Sequence, residues 1–153
     1  MYQPLTAGDL CTREIVVAPR TSSLTEAARL MRERHVGSLV VVDEQPAGRV
    51  PAGVITDRDL VTAVLAPDVD VHALRVEDVM STEPVVAQER ASLFDALAVM
   101  RSKGVRRLVV TDTQGLLQGV LALDDVIEVV SEQLQAVARA LASGRGREQR
   151  SRP

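Results

Sequence analysis

The sequence is poor in aromatic residues, which make up 1% of its 153 residues, and it contains no tryptophan. With a hydrophobic content of 46%, its core must therefore consist mainly of valine, leucine, alanine and methionine. So little stacking surface argues against recognition of single-stranded nucleic acid on aromatic platforms. Any ring that this chain binds is expected to lie between aliphatic side chains.

Cysteine and histidine are also scarce, with one cysteine, Cys11, and two histidines. A single cysteine cannot form an internal disulfide, and no histidine cluster or second thiol has metal-ligand spacing. No apolar run approaches the roughly 20 residues of a membrane span, and the first residues lack the features of a signal peptide. We therefore expect a cytoplasmic protein without a metal site or a membrane segment.

The net charge of −3 is distributed unevenly along the chain. Residues 143–153 contain four arginines and one glutamate, a net +3 that leaves −6 on residues 1–142. An acidic body argues against general nucleic-acid binding. The basic tail is expected to be disordered.

One segment of the chain occurs twice. Ser23–Met31 matches Ser92–Met100 at an offset of 69 residues without a gap. In both copies apolar residues fall at i, i+3, i+4 and i+7, which is the period of an amphipathic helix. Each helix is followed by a β-branched run, Ser38–Asp43 or Arg107–Asp112, which predicts a buried strand.

A further strand and helix complete each copy. The strands are Gly53–Ile55 and Gly119–Ala122, and a shorter strand, Glu14–Val17 or Glu83–Val86, precedes each first helix. The sequence therefore predicts an α/β fold of the α+β type, built from two β-α-β-β-α repeats. A repeat of roughly 60 residues is marginal alone, so the two copies are expected to share an apolar face.

The two copies differ in one turn and in the last helix. The turn at 44–52 is three residues longer than its counterpart and contains two prolines and a glycine, which predicts a mobile loop. From Asp124 the apolar period runs on into an extended C-terminal helix, which Ser143–Gly146 is expected to end. Its apolar side needs a partner, either the chain's own N-terminal segment or a second chain.

The stretch Gly53–Leu60 carries an apolar strand into the motif Thr56-x-x-Asp59. A hydroxyl and a carboxylate three residues apart lie side by side on a helix's first turn, where free N–H groups favour an anion. The pair is therefore a candidate grip for a ribose and a phosphate. The same spacing is also a capping box, in which Thr56 and Asp59 accept hydrogen bonds from the helix start.

With both repeats in view, the chain resembles a CBS domain pair, the tandem module named after cystathionine β-synthase. The resemblance rests on the two-fold repeat, its paired strands and two segments of the form Gly-h-h-x-x-x-Asp, where h is a hydrophobic residue. These segments are Gly53–Asp59 and Gly119–Asp125. It implies CBS domains at residues 6–67 and 75–135, a linker at 68–74, and a helix end with a basic disordered tail at 136–153. Small stand-alone bacterial members of this family are similar, which implies a homodimeric regulatory module, not an enzyme, that acts on a downstream protein.

The resemblance further implies an adenine nucleotide ligand, AMP, ADP or ATP, with S-adenosylmethionine or NAD as alternatives. Carried onto this sequence, it assigns the ribose to Thr56 and Asp59 and the phosphates to Arg106 and Arg107. The aliphatic residues expected to flank the adenine are Val54, Ile55, Val85 and Val109. Because neighbours on a strand point to opposite faces, the two arginines are not both expected to reach the ligand.

The mirror site lacks several of these groups. Asp125 is present, but Ala122 replaces the threonine, and Gly37 and Ser38 stand where the two arginines stand in the other copy. We expect one cleft that binds phosphate and a weak or empty second cleft at Asp125 and Ser38.

Two other functions are alternatives to the regulatory one. In the first, the chain is a ligand-free dimerisation or scaffold module, and Thr56 and Asp59 only cap a helix. An enzyme is not expected, because no acid–base or nucleophile constellation appears in the sequence.

Overall fold

The computed structural model describes residues 3–151, with side chains up to residue 145. The chain divides into two compact units between Leu121 and Ala122. The first unit holds the strands of two sheets, and the second contains the long C-terminal helix.

The first repeat starts with a short helix and then follows the predicted order of strands and helices. Its elements are α1 (Ala7–Leu10), β1 (Val17–Pro19), α2 (Leu24–Arg34), β2 (Ser38–Gln45), β3 (Gly48–Thr56) and α3 (Asp57–Asp59), which continues as a π-helical segment, Leu60–Leu65. Helix α2 begins at the predicted serine, because Ser23 and Glu26 form a reciprocal capping box.

The second repeat has the same order with one additional short strand, β4, after its first helix. Its elements are α4 (Val76–Val79), β4 (Ser81–Thr82), β5 (Val86–Gln88), α5 (Leu93–Lys103), β6 (Arg107–Thr111), β7 (Leu117–Ala122) and α6 (Leu123–Ser151). The prediction of two α/β repeats with an extended C-terminal helix is confirmed.

Strand β2 is buried on both faces, which explains its continuous apolar run. The first sheet has the order β1-β2-β3-β4, with β1 parallel to β2 and the other neighbours antiparallel. Leu39 and Val41 point into the core of the first repeat, beneath its helices. Val40 and Val42 point the other way and pack with Val109 of the second sheet, whose order is β5-β6-β7. The two repeats therefore share an apolar face, as their small size requires.

The segment that leads into the first repeat forms hydrogen bonds with the second repeat. The N–H of Ala7 donates to the carbonyl of Ala91 at 2.9 Å, at the turn before α5. Thr12 and Val120 exchange both backbone hydrogen bonds, at 2.9 and 3.0 Å. The start of the first repeat is thus an extra edge of the second sheet.

The segment that leads into the second repeat makes the corresponding bonds to the first. Val76, the equivalent of Ala7, donates to the carbonyl of Ser22 at 3.0 Å. Strand β4 pairs with β3 in a register that places Thr82 opposite Gly53. The exchange is therefore reciprocal, and it fixes one repeat against the other by backbone geometry.

The glycine that opens each Gly-h-h-x-x-x-Asp segment permits this close approach. A Cβ atom on Gly53 would collide with the carbonyl oxygen of Ser81, in the exchanged segment. A Cβ atom on Gly119 would lie 2.6 Å from the carbonyl oxygen of Thr12. Such distances are too short for non-bonded atoms, so a side chain at either position would force the backbone to shift.

The predicted mobile loop at 44–52 is wrong. These residues extend β2 and β3 into a regular hairpin, in which Glu44 lies opposite Arg49 and only Pro46 and Ala47 form the turn. The three additional residues lengthen the strands, and a β-bulge between Val41 and Val42 absorbs the change of register. The edge strands β1 and β5 each start three residues later than predicted, because only three positions of each pair with a neighbour.

The predicted end of the last helix at Ser143–Gly146 is also wrong, since α6 continues to Ser151. The Oγ of Ser143 donates to the carbonyl of Arg139 at 3.0 Å, within the helix. A glycine inside a helix costs only about 1 kcal/mol relative to alanine, and the arginines and glutamines around it favour helix. Residues 152–153 of the expected disordered tail lie outside the described residues.

We expect Gly53→Ala to destabilise the fold by roughly 1 to 3 kcal/mol, because the new methyl group collides with backbone of the exchanged segment. Urea unfolding followed by circular dichroism would measure this loss. Gly144→Ala is the control, because a Cβ at Gly144 meets nothing within 4 Å and should stabilise the helix slightly. Equal stability of the two variants would contradict the role given to Gly53.

Candidate functional site

A cavity of about 330 Å³ lies between the two repeats, and every residue that lines it belongs to the first unit. Its wall is formed by the start of β2 and the end of β3 from the first repeat. The second repeat contributes the start of β6 and the segment between β4 and β5. Its volume is within the usual range for small-molecule sites, about 300 to 1,000 Å³.

Six of the eight residues that the sequence assigned to the main ligand site line this cavity. They are Val54, Thr56, Val85, Arg106, Arg107 and Val109. The cavity therefore joins a threonine from one repeat to two arginines from the other, with aliphatic residues from both.

Ile55 does not line the cavity, although the sequence analysis placed it beside the adenine. Its side chain is 0% exposed and belongs to the core of the first repeat. Successive residues of β3 alternate between faces, so Val54 and Thr56 face the cavity while Ile55 faces the helices. A ligand in the cavity would not contact Ile55.

Thr56 and Asp59 form the complete capping box at the β3–α3 junction. The N–H of Thr56 donates to Asp59 Oδ2 at 2.9 Å, and the N–H of Asp59 donates to Thr56 Oγ1 at 3.1 Å. Thr56 borders the cavity, whereas Asp59 does not line it. Among the described residues, Asp59 Oδ1 accepts no hydrogen bond, whereas Oδ2 is used by the capping box.

The first turn of α3 offers no free N–H group to an anion, contrary to the expectation from the motif. The N–H of Asp57 donates to the carbonyl of Gly37 at 2.9 Å. Arg58 donates to Asp57 Oδ1 at 2.8 Å, and Asp59 donates to Thr56. The cationic groups that line this cavity are therefore its two arginines, not a helix N-terminus.

Arg106 and Arg107 both line the cavity. Arg106 immediately precedes β6, whereas Arg107 is its first residue. Which of the two would reach a ligand stays a prediction. Both side chains are exposed, and neither makes a salt bridge or a side-chain hydrogen bond to the described residues. Two unpaired cations at one cavity form a site suited to an anion.

The aliphatic walls of the cavity are held by the sheets. Val109 donates its N–H to the carbonyl of Val85 at 3.0 Å, which joins β6 to the residue before β5. Val54, Val109 and Val120 also take part in the apolar cluster between the repeats. The surfaces that would flank a ring are therefore part of the packed core.

Several lining residues were not predicted from the sequence, and Glu83 is the most consequential of them. Its carboxylate is the only acidic side chain among the residues that line this cavity. Glu83 has a φ of 56°, a left-handed conformation that is uncommon outside glycine and that precedes Pro84. Ser81 was missed because nothing in the sequence indicates that β4 pairs with β3, which brings Ser81 opposite Val54.

The residues assigned to the second site have different surroundings. Asp125 Oδ2 accepts from the N–H of Ala122 at 3.4 Å, and Ala122 has no side-chain oxygen to complete a capping box. Ser38 is the strand partner of Thr56 and lines the main cavity. One of the two residues assigned to the second site thus belongs to the first.

No group of three or more histidine, cysteine, aspartate or glutamate side chains within the described residues could hold a metal ion. No helix in that part of the chain is both long enough and apolar enough to cross a bilayer.

Comparison with known proteins agrees with this architecture. The CBS domain family pattern matches the chain twice, at residues 7–66 and 76–132. The CBS domain-containing protein YhcV of Bacillus subtilis is 34% identical over 77% of this chain and 80% of its own length. The match covers 62% of an uncharacterized Methanopyrus kandleri protein and 94% of YlbB from Bacillus subtilis.

Solved structures with bound nucleotides are similar to this chain. CBSX2 of Arabidopsis thaliana in complex with AMP superimposes with a TM-score of 0.71 and 27% identity, over 83% of this chain and 97% of that one. The cytosolic domain of the Mg²⁺ channel MgtE in complex with ATP gives a TM-score of 0.69 and 26% identity, over 84% of this chain and 50% of that one. The two matched repeats, the shared sheet topology and these relatives establish that the chain belongs to the CBS domain family, as a tandem CBS pair.

Proposed function

We propose that this CBS pair is a regulatory module that binds an adenine nucleotide in the cavity between its repeats. One observation carries the proposal: a single cavity combines Thr56 of the first repeat with Arg106 and Arg107 of the second. A ligand that contacts all three would link the two repeats. AMP, ADP and ATP are the ligands that fit this set of groups.

The phosphates would bind the two guanidinium groups. Arginine presents several N–H donors in a planar fork that matches a phosphate, and charge-assisted bonds of this kind are about twice as strong as neutral ones. Arg106 and Arg107 have no acidic partner among the described residues, so no intramolecular ion pair has to break first. NAD shares the phosphates, whereas S-adenosylmethionine lacks them and should bind more weakly.

The adenine and the ribose would bind the remaining walls. Val54, Val85 and Val109 provide aliphatic surface for the ring, in a chain that offers almost no aromatic surface. Thr56 borders the cavity, and the unused Oδ1 of Asp59, next to it in the capping box, would accept from a ribose hydroxyl. Asp59 also holds the strand end that presents Thr56, so it would act both directly and by positioning.

Two similar proteins with bound nucleotides support the proposal. CBSX2 has been crystallised with AMP and the MgtE cytosolic domain with ATP, and each matches more than four-fifths of this chain. CBS pairs are generally regulatory modules, and we propose no enzymatic activity for this one.

Signalling would follow from linkage. A nucleotide that contacts both repeats stabilises the arrangement of the repeats in which the cavity walls have the correct spacing. It shifts the equilibrium between two such arrangements only by the difference in its affinity for them. We propose that a homodimer in the cytoplasm passes this change on to a downstream protein.

A ligand-free scaffold module is the second candidate, and the capping box favours it. Thr56 and Asp59 satisfy one another's hydrogen bonds at 2.9 and 3.1 Å without a ligand, so the motif has a complete structural explanation. The scaffold hypothesis does not explain why two unpaired arginines line the same cavity.

Thermal unfolding with millimolar AMP, ADP, ATP, NAD or S-adenosylmethionine separates the two candidates. A ligand at a hundred times its Kd stabilises the folded state by about 2.7 kcal/mol, which raises the Tm of a chain of this size by roughly 5 to 10 °C. We expect such a shift for at least one adenine nucleotide, and its loss in the Arg106→Ala/Arg107→Ala variant.

Arg29→Ala is the matched control, because Arg29 is exposed on α2 and does not line the cavity. It should keep the full shift. No shift with any compound would favour the scaffold module, and a shift that survives in the double variant would move the site away from this cavity.

Glu83 provides a second prediction about the same cavity. Its carboxylate opposes a phosphate, so Glu83→Gln should tighten ATP binding by roughly three- to tenfold. Adenosine, which carries no phosphate, should bind both proteins equally in isothermal titration calorimetry. An equal gain for adenosine and ATP would attribute the effect to shape and contradict an electrostatic role for Glu83.

A further inference from the structure

The cavity between the repeats has an apolar inner end and a charged mouth. Its most buried lining residues are Leu108 and Val109, at 0% and 5% exposure. Its three charged lining residues, Glu83, Arg106 and Arg107, are all exposed. Strand β6 thus leads from a charged start to buried aliphatic side chains within three residues. A nucleotide in this cavity would place its base towards the inner end and its phosphates at the mouth.

The backbone holds Glu83 at this mouth from both sides. Strand β4 before it pairs with β3 of the first sheet. The carbonyl of Val85 after it accepts from the N–H of Val109, at 3.0 Å, in β6 of the second sheet. Only Glu83 and Pro84 lie between these two anchors. The chain therefore crosses from one sheet to the other at the cavity, and Glu83 is part of the crossing.

The conformation of Glu83 is unusual in two respects. Its φ of 56° is left-handed, and a residue that precedes a proline favours extended backbone with a negative φ. Glu14 holds the same position in the first repeat, is followed by Ile15, and is not left-handed. Uncommon backbone conformations are concentrated at binding and catalytic sites. The second repeat thus presents a carboxylate to the cavity in a conformation that the first repeat does not use.

The carboxylate of Glu83 has no partner in the part of the chain that the structure describes. It makes no salt bridge there, either with the two arginines of the same cavity or with any other cation. The mouth therefore holds two unpaired positive charges and one unpaired negative charge.

The positive charges at the mouth match one phosphate group. A phosphate monoester carries roughly −1.5 to −2 charges at pH 7, and the guanidinium groups of Arg106 and Arg107 balance that charge. Among the described residues, no other cationic side chain lines the cavity. A second or third phosphate would find Glu83 as the remaining charged group, and like charges repel.

We propose that Glu83 makes this cavity selective for a nucleoside monophosphate, so that AMP binds more tightly than ADP and ADP more tightly than ATP. This inference rests on the proposed nucleotide function and specifies the ligand class of the same cavity. The two arginines bind the first phosphate, and Glu83 repels any phosphates beyond it. The module therefore responds to the monophosphate, and the triphosphate is a weak competitor.

Isothermal titration calorimetry with AMP, ADP and ATP in the presence of EDTA tests this selectivity. EDTA removes metal ions that would offset the charge of the additional phosphates. The wild-type chain should bind AMP most tightly and ATP least tightly. Glu83→Gln should lower the ratio of the ATP Kd to the AMP Kd by at least about twofold, and Glu83→Lys should lower it further.

Glu14→Gln is the matched control. It removes the same charge from the equivalent position of the first repeat, and Glu14 does not line the cavity. This variant should keep the wild-type ratio. Equal affinities of the wild-type chain for AMP and ATP, or an unchanged ratio in both Glu83 variants, would overturn the selectivity and leave the proposed function standing. No binding of any of the three nucleotides would overturn both.

Discussion

The reciprocal exchange of backbone between the repeats determines the rest of this structure. The segment before each repeat pairs with the sheet of the other, through bonds such as those between Thr12 and Val120 at 2.9 and 3.0 Å. These bonds need backbone to approach backbone closely, and Gly53 and Gly119 provide the space. The glycine of the signature segment thus has a packing role that does not depend on any ligand. A repeat separated from its partner would lose part of its sheet as well as its apolar contact.

The cavity follows from this arrangement. Two features hold the end of β3 near the start of β6. One is the exchange of lead-in segments between the repeats, and the other is the apolar cluster of Val40, Val42 and Val109 between the sheets. Thr56 and Arg107, which are 51 residues apart in sequence, therefore border one space. Neither repeat forms the cavity alone, so a ligand bound in it would report on the relative position of both. That property suits a regulatory module better than an enzyme, which needs reacting groups held in one fixed geometry.

The sequence was sufficient to predict the repeats, because their helix pattern recurs at an offset of 69 with the same serine starts. It also predicted six of the residues at the cavity, since the family resemblance assigned them by motif. It could not predict the exchange of lead-in segments, which have no periodicity of their own. Ile55 was misplaced because its residue type suits a ligand wall as well as a core, and only the phase of β3 decides between them. The turn at 44–52 was misjudged because its prolines and glycine were taken as loop signals, although β3 pairs through Pro51.

We propose that the cavity binds one adenine nucleotide, and that the mirror position, where Ala122 replaces the threonine, does not bind phosphate. Isothermal titration calorimetry of the full chain with AMP measures the stoichiometry directly. We expect one AMP per chain. No binding at millimolar AMP, or two equivalent sites per chain, would contradict it.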